Sequence, residues 1–416
     1  MAPAASSLKP GGSGPNNWSN CVPPLGDFSR RLFITLPCVG IDGCGTALTA
    51  MGVPFIANNV MDLESRYGPY LQKHLNQKNI YVGKKGDVTK MDFDKLERPI
   101  EVIVSGPPCP PWAGNGLKNG QVDFRADVYV QIVRLAICLI KAGELLALVL
   151  ENVAGICHKK KGAEKSFMQM MVDFLRQEVS EFNWEVCHLQ ACDYGLPQQR
   201  HRVFLQGMRK SIGQVPQPLA PFPKKSLKEF LNEELPCVKM TSLTETMKKN
   251  LEDGVKCLKE MLKNGTAEPS DLMIFPLDRA EGKVYKRSIS KNIAPTLTTT
   301  NKYLFVVSMA DLEKPAAQRK FFRFLHPSDS FLVHYKHVFF VCVCVFLGGL
   351  VVGLWPCSKN MFNIACYLFC ILYTYQVPKK LKINEINEIY QSKFFCLNPF
   401  LGNTFTSGAH AAAGLR

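Results

Sequence analysis

The chain has 416 residues, 46% of them hydrophobic, with a formal net charge of +15 and a pI of about 9.1. That apolar fraction over that length excludes a disordered or fibrous chain and allows one large domain or two of ordinary size, while the basic surplus points to a polyanionic partner, nucleic acid or an anionic membrane. Sixteen cysteines without a CxxC pair, and an N-terminus lacking an apolar leader segment, argue against a secreted disulfide scaffold and for reduced thiols in an intracellular protein; no Cys/His cluster has zinc-ligand spacing.

Residues 1–30 are rich in Pro, Gly, Ser and Asn and are expected to stay disordered. Residues 32–36, LFITL, read as a strand that runs into PCVGIDGCG, where Gly40, Gly43 and Gly45 mark a tight turn before a helix starting near Ala47. Strand, glycine turn and helix open a nucleotide-binding βαβ unit. A second short strand, 55–57, precedes Asp62 and Glu64, placed where such folds take ribose hydroxyls, and a helix is expected to about residue 75. Gly86-Asp87-Val88 forms a turn. Residues 101–112, EVIVSGPPCPPW, then place a buried strand before a stiff proline loop that presents Cys109. In open α/β sheets ligands bind at that end of the strands, so Cys109 is a candidate nucleophile.

Helical spacing follows over 123–141, a buried strand over 145–150 ending at Glu151-Asn152-Val153, a helix over 167–179 and a strand over 184–191. YGLPQQRHRVF sets Gln198, Arg200 and Arg202 directly before a strand at 203–205. The alternation from 32 to 207 predicts an α/β fold with a parallel sheet covered by helices on both faces. From 210 to 291 prolines, lysines and short amphipathic pieces replace it, predicting a smaller, irregular second domain; β-like sequence returns near 294–300 and 303–307. The runs 338–355 and 361–377 are apolar and of borderline membrane-spanning length.

Taken singly, each of these groups has a plain reading: Cys109 a small packed thiol, Glu151-Asn152 a strand-end cap, the arginines a solvated face, Asp62 a helix cap. Together, GPPCPPW, ENV and QQRHR in this order resemble the C5-cytosine DNA methyltransferases, matching the family's Pro-Cys nucleophile loop, Glu-Asn-Val motif and Gln-x-Arg-x-Arg motif. Further similarities lie in the glycine turn (Gly40, Ile41, Gly43), the acidic pair Asp62-Leu63-Glu64, Asp87-Val88, Asp123-x-Arg125, and FLGNT near the C-terminus with Asn403. Pro110 stands where the family has glutamine, and Pro37 where it has an aromatic residue.

The resemblance implies a Rossmann-like fold using S-adenosylmethionine, with Gly40, Ile41, Gly43, Asp62, Leu63, Asp87, Val88, Pro108 and Asn403 around the cofactor and no metal. It implies that Cys109 adds to C6 of a flipped cytosine, that Glu151 assists at N3, that Arg202 contacts the base and that Arg200 is more structural. The domains expected on this basis are a disordered segment 1–30, a catalytic domain 31–209, a target-recognition domain 210–291, a return to the catalytic domain at 292–330, an insert 331–398 and a cofactor segment 399–416. RFLHPSD resembles the ninth family motif but breaks off at Ser330, so the insert is read as translated intron; membrane contact follows only if it is genuine. The expected activity is that of a monomeric DNA (cytosine-5-)-methyltransferase, nuclear in a eukaryote. Alternatives are the family's tRNA-methylating branch and an inactive nucleic-acid-binding homologue.

Overall fold

The computed structural model describes residues 31–325 except 41, 51–52, 76–78, 114–122, 219, 222, 225, 279–288 and 297–303. All of them fall in one unit, Leu25–Lys380. The chain runs β1 (Leu32–Pro37), α1 (Gly43–Ala50), β2 (Phe55–Asp62), α2 (Gly68–His74), β3 (Ile80–Val82), β4 (Val102–Ser105), α3 (Ala126–Lys141), β5 (Ala147–Val153), α4 (Phe167–Glu178), β6 (Phe182–Gln190), β7 (Gln198–Gln199) and β8 (His201–Arg209). It continues through α5 (Glu245–Lys263), β9 (Leu272–Pro276), β10 (Ser290–Lys291), β11 (Ala294–Pro295), β12 (Leu304–Ser308) and β13 (Phe322–Phe324). Ile41, Asn403, the insert 331–398 and both apolar runs lie outside the described residues. Among the described residues no helix is long and apolar enough to cross a membrane.

Seven strands form the main sheet in the order β3-β2-β1-β4-β5-β8-β6. Side chains alternate across it. Val102 and Val104 pack with Leu32, Ile34, Leu48 and Leu71 on the α1/α2 face, while Ile103 joins Leu148, Leu150, Tyr129, Leu135 and Leu175 on the α3/α4 face. Each fully buried Leu or Ile contributes about 1.5–3 kcal/mol, which explains why these short runs hold as strands. Helix α4 begins with a reciprocal cap: the Ser166 hydroxyl accepts from the Gln169 N–H at 3.2 Å and Gln169 accepts from the Ser166 N–H at 3.0 Å. Helix α3 begins three residues later than its spacing suggests, because the Asp123 carbonyl is already used in a turn with the Ala126 N–H at 2.8 Å.

The sheet is mostly but not wholly parallel. Strand β8 runs antiparallel to both β5 and β6. The connection 191–200 holds only a single-turn 3-10 helix (Ala191–Tyr194) and β7, and a parallel return needs a longer crossover. A second sheet, β10-β9-β12-β13, is antiparallel. Helix α5 covers one face through Leu251 and Leu258 against Phe275 and Phe305; Leu227 and Phe230 cover the other against Ile274 and Val306. Strands β12 and β13, from the stretch expected to rejoin the catalytic part, hydrogen-bond into this sheet. Strand β11 pairs with β7, Ala294 opposite Gln198, tying the second sheet to the end of β8.

Candidate active site

The candidate reacting groups collect where β4 and β5 end and β8 begins. The antiparallel course of β8 brings Arg202, an early residue of the strand, to that edge. Arg202 lies opposite Val153, and Glu151 lies opposite Phe204. The Arg202 Nε is 2.7 Å from Glu151 Oε1, and their side chains are 12% and 17% exposed, so the pair is largely shielded from water. Arg200 sits in the preceding turn, its carbonyl accepting from the Ala191 N–H at 3.0 Å and its N–H donating to the Gln198 carbonyl at 3.1 Å.

Cys109 rides on a loop fixed at several points. The Cys109 carbonyl accepts from the Trp112 and Ala113 N–H groups, both at 3.0 Å. The Trp112 ring packs against Phe167 and Tyr129, with centroids at 5.0 and 6.2 Å. Buried Asn152 donates to the Pro107 carbonyl at 3.4 Å, joining the loop to the end of β5. Gly155 lies so close behind the loop that a Cβ there would be 2.0 Å from the Trp112 carbonyl oxygen. Burial pushes the Cys109 thiol above its usual value and the Glu151 charge pushes it further; Arg202 and Arg200 oppose both. The thiol, carboxylate and guanidinium groups therefore act on one another. Beside them Arg125 grips Asp123 with two hydrogen bonds, at 2.8 and 2.6 Å, which draws the Asp123 carboxyl down to about 2.

A second cluster forms at the ends of β1, β2 and β3. The Val39 N–H donates to the Met61 carbonyl at 3.1 Å. Asp62 accepts from the Gly40 N–H on one oxygen and from the Glu64 N–H on the other, both at 2.8 Å. Gly40 has φ +57° with open space where a side chain would start, and Leu63 is 65% exposed. A carboxylate accepts about four hydrogen bonds, so Asp62 retains capacity for two hydroxyl groups, and Leu63 offers an apolar face beside it. This donor and acceptor set fits the ribose and adenine of a nucleoside cofactor. Gly86 packs against the carbonyls of Asp62 and Tyr81, where a Cβ would lie 2.3 and 2.5 Å away, which sets Asp87 next to this edge. Asp87 caps the following turn through Thr89 at 3.1 Å, while the Val88 side chain is buried in the core and offers a ligand only its backbone. Gly43 opens α1, and Asp42, at φ 52°, caps it by accepting from the Gly45 N–H at 2.7 Å. The Ser105 hydroxyl donates to the Pro37 carbonyl and links the two clusters. Pro108 is partly exposed in the Cys109 loop. Cys44 is buried in the core, and burial pushes the Cys38 thiol up to about 12, so both are packing residues. Among the described residues no His/Cys/Asp/Glu group could hold a metal ion.

The structure thus brings Cys109, Glu151, Arg200 and Arg202 together and places Gly40, Asp62, Leu63 and Asp87 in a neighbouring group. Sequence reasoning missed Ser105, Trp112 and Gly155 as supports. Only Gly155, directly after the Glu-Asn-Val-Ala run, carried a signal that could have found it, since a glycine there permits a close backbone approach.

Residues 37–317 match the family described as C-5 cytosine-specific DNA methylase. Among curated proteins, the chain is 30% identical over 182 residues to the Type II methyltransferase M.DdeI of Desulfomicrobium norvegicum, covering 42% of this chain and 41% of that protein. It is 33% identical over 142 residues to the Type II methyltransferase M1.ScrFI of Lactococcus lactis subsp. cremoris, covering 32% and 33%. The matched part thus spans about two fifths or less of these relatives. Among solved structures, the S. pombe Dnmt2 methyltransferase aligns over 83% of this chain and 99% of its own at 14% identity and a TM-score of 0.42.

Proposed function

Since the chain belongs to the C-5 cytosine-specific DNA methylase family, we propose that it methylates C5 of cytosine in DNA through a transient Cys109 adduct. The observation that carries this reading is the Glu151–Arg202 pair at 2.7 Å beside a thiol whose ionisation both groups influence. The family's methyl donor, S-adenosylmethionine, supplies an electrophilic methyl group. Asp62, Leu63, Asp87 and the Gly40 turn would hold it; Ile41, Gly43, Val88, Pro108 and Asn403 complete the set carried over from the family.

The chemistry asks three things of the protein. Cys109 gives its proton to the Glu151 carboxylate, directly or through one water, and its sulfur bonds to C6 of the base as the C5–C6 π pair shifts to C4–C5 and the C4–N3 π pair moves onto N3. Arg202 and Arg200 favour the thiolate that burial and Glu151 disfavour. Glu151, steered by Arg202, passes the proton taken from Cys109 on to N3 as the ring takes up charge, leaving an enamine whose C5 is nucleophilic. After C5 is methylated, a water takes the C5 proton, the C5–C6 double bond re-forms as the Cys109 thiolate leaves, and the N3 proton returns to Glu151, which restores the ring. Because the sulfur attacks the ring face, the cytosine leaves the base stack.

The test is methyl transfer to duplex DNA and to total tRNA, run side by side, with adduct trapping on 5-fluorocytosine DNA. Wild type should label DNA and form the adduct, and Cys109→Ser should do neither. Label in tRNA alone overturns the substrate, and an adduct formed by Cys109→Ser overturns the nucleophile.

A further inference from the structure

A cleft of about 340 Å³ opens beside the nucleophile loop, on the side where residues 158–165 cross in front of α4. Its lining divides by chemistry. Trp112, Phe167 and Met170 form an apolar wall, and Lys160 and Lys165, with His158, form a polar rim. Trp112 and Phe167 are tilted against each other at 5.0 Å, and Met170 stays 40% exposed although it belongs to a helix that buries Met168 and Leu175. The rim also includes Glu164, and Lys165 is paired with Asp173 at 2.8 Å, so the two lysines are offset by two carboxylates, while the neighbouring Lys159 and Lys161 keep the 158–165 loop basic.

The cleft is distinct from the catalytic cluster but mechanically joined to it. Trp112 donates its backbone N–H to the Cys109 carbonyl, and Gly155, three residues before His158, abuts the Trp112 carbonyl. The cleft therefore adjoins the loop that presents Cys109, within reach of a chain that continues from a base held there. An aromatic and thioether wall accepts a flat ring; ammonium groups at its lip accept a phosphate. The size suits one base with its phosphate.

The geometry points to this cleft as a subsite for a nucleotide flanking the reacting cytosine, its base against Trp112, Phe167 and Met170 and its phosphate on Lys160 and Lys165. The inference rests on the proposed nucleic-acid substrate and adds to it a place where sequence context is felt.

The sequence carries its own control. Lys159 and Lys161 belong to the same exposed loop but do not line the cleft. The Lys160→Ala/Lys165→Ala and Lys159→Ala/Lys161→Ala variants remove equal charge. Binding of a short labelled duplex, intact or abasic on either side of the target cytosine, is measured by anisotropy over a salt series, with S-adenosylmethionine binding as the check on folding. The first variant should bind about 10-fold more weakly near 0.1 M salt, with a salt slope smaller by about 1–2, while the second stays within about 3-fold of wild type. Met170→Ala should weaken binding of the intact duplex about 2–10-fold and leave the abasic duplex unaffected. Equal effects of the two lysine pairs, or no effect of either, overturn the subsite alone. A wild-type chain that binds no oligonucleotide overturns the nucleic-acid reading and the subsite with it.

Discussion

Replacing Gly155 by alanine probes how the Cys109 loop is held. The added Cβ would sit 2.0 Å from the Trp112 carbonyl oxygen and 3.1 Å from its carbonyl carbon. An ordinary contact begins near 3.4 Å, so the two backbones must separate by roughly 1 Å or more. Trp112 cannot absorb this by itself: its N–H is bonded to Cys109 and its ring packs against Tyr129 and Phe167. The shift passes either to Cys109 or back along the chain to Glu151. Overpacking of this kind costs about 1–3 kcal/mol, which for a chain of this size lowers Tm by about 1–5 °C. Displacing a reacting group by about 1 Å lowers kcat about 100-fold. The Asp62 cluster lies on other strands, so the Kd for S-adenosylmethionine should change by less than about 2-fold. Steady-state methyl transfer, thermal melting and calorimetric cofactor titration read the three quantities. Full kcat with an unchanged Tm would refute the close approach and the argument built on it.

Alkylation of Cys109, followed by mass spectrometry of its peptide against pH, should show a midpoint above the usual thiol value near 9. Glu151→Gln should lower that midpoint by removing a repelling charge, and Arg202→Ala should raise it; a midpoint that ignores both variants refutes the coupling. His201, whose Nε2 lies 3.3 Å from His188 Nδ1, is held below 6.5 by partial burial first and then by His188, Arg202 and His158. A folded-state value below the unfolded one stabilises the protein above pH 6.5 and loses that contribution as the pH falls. Acidification should therefore depress Tm less in His201→Gln, and His188→Gln should raise the His201 titration point read by NMR. Asn59 is fully buried; its side-chain amide donates to the Glu97 carbonyl and accepts from the Glu97 N–H, both at 3.0 Å. Asn59→Ala strands both groups and should cost about 1–3 kcal/mol in denaturant unfolding, with little change in kcat.

The local pattern of this chain determined a great deal. Period-two and continuous apolar runs placed β1, β4, β5 and β6, and the 3.6-residue spacing placed α3 and α4, because burial on a fixed face is written one residue at a time. The proline loop, the Glu-Asn-Val run and the paired arginines marked Cys109, Glu151, Arg200 and Arg202 as one chemical group, since few other functions need those residue types in that order. Only the tertiary structure decided how they meet. The direction of β8 depends on which strands it pairs with, and that pairing puts Arg202 on Glu151 across fifty intervening residues. The cleft beside Trp112, the close approach of Gly155 and the bond from Ser105 to Pro37 likewise join segments far apart in the chain. No local periodicity encodes such contacts: they are settled by which elements pack against one another, and this packing gives Cys109 its surroundings.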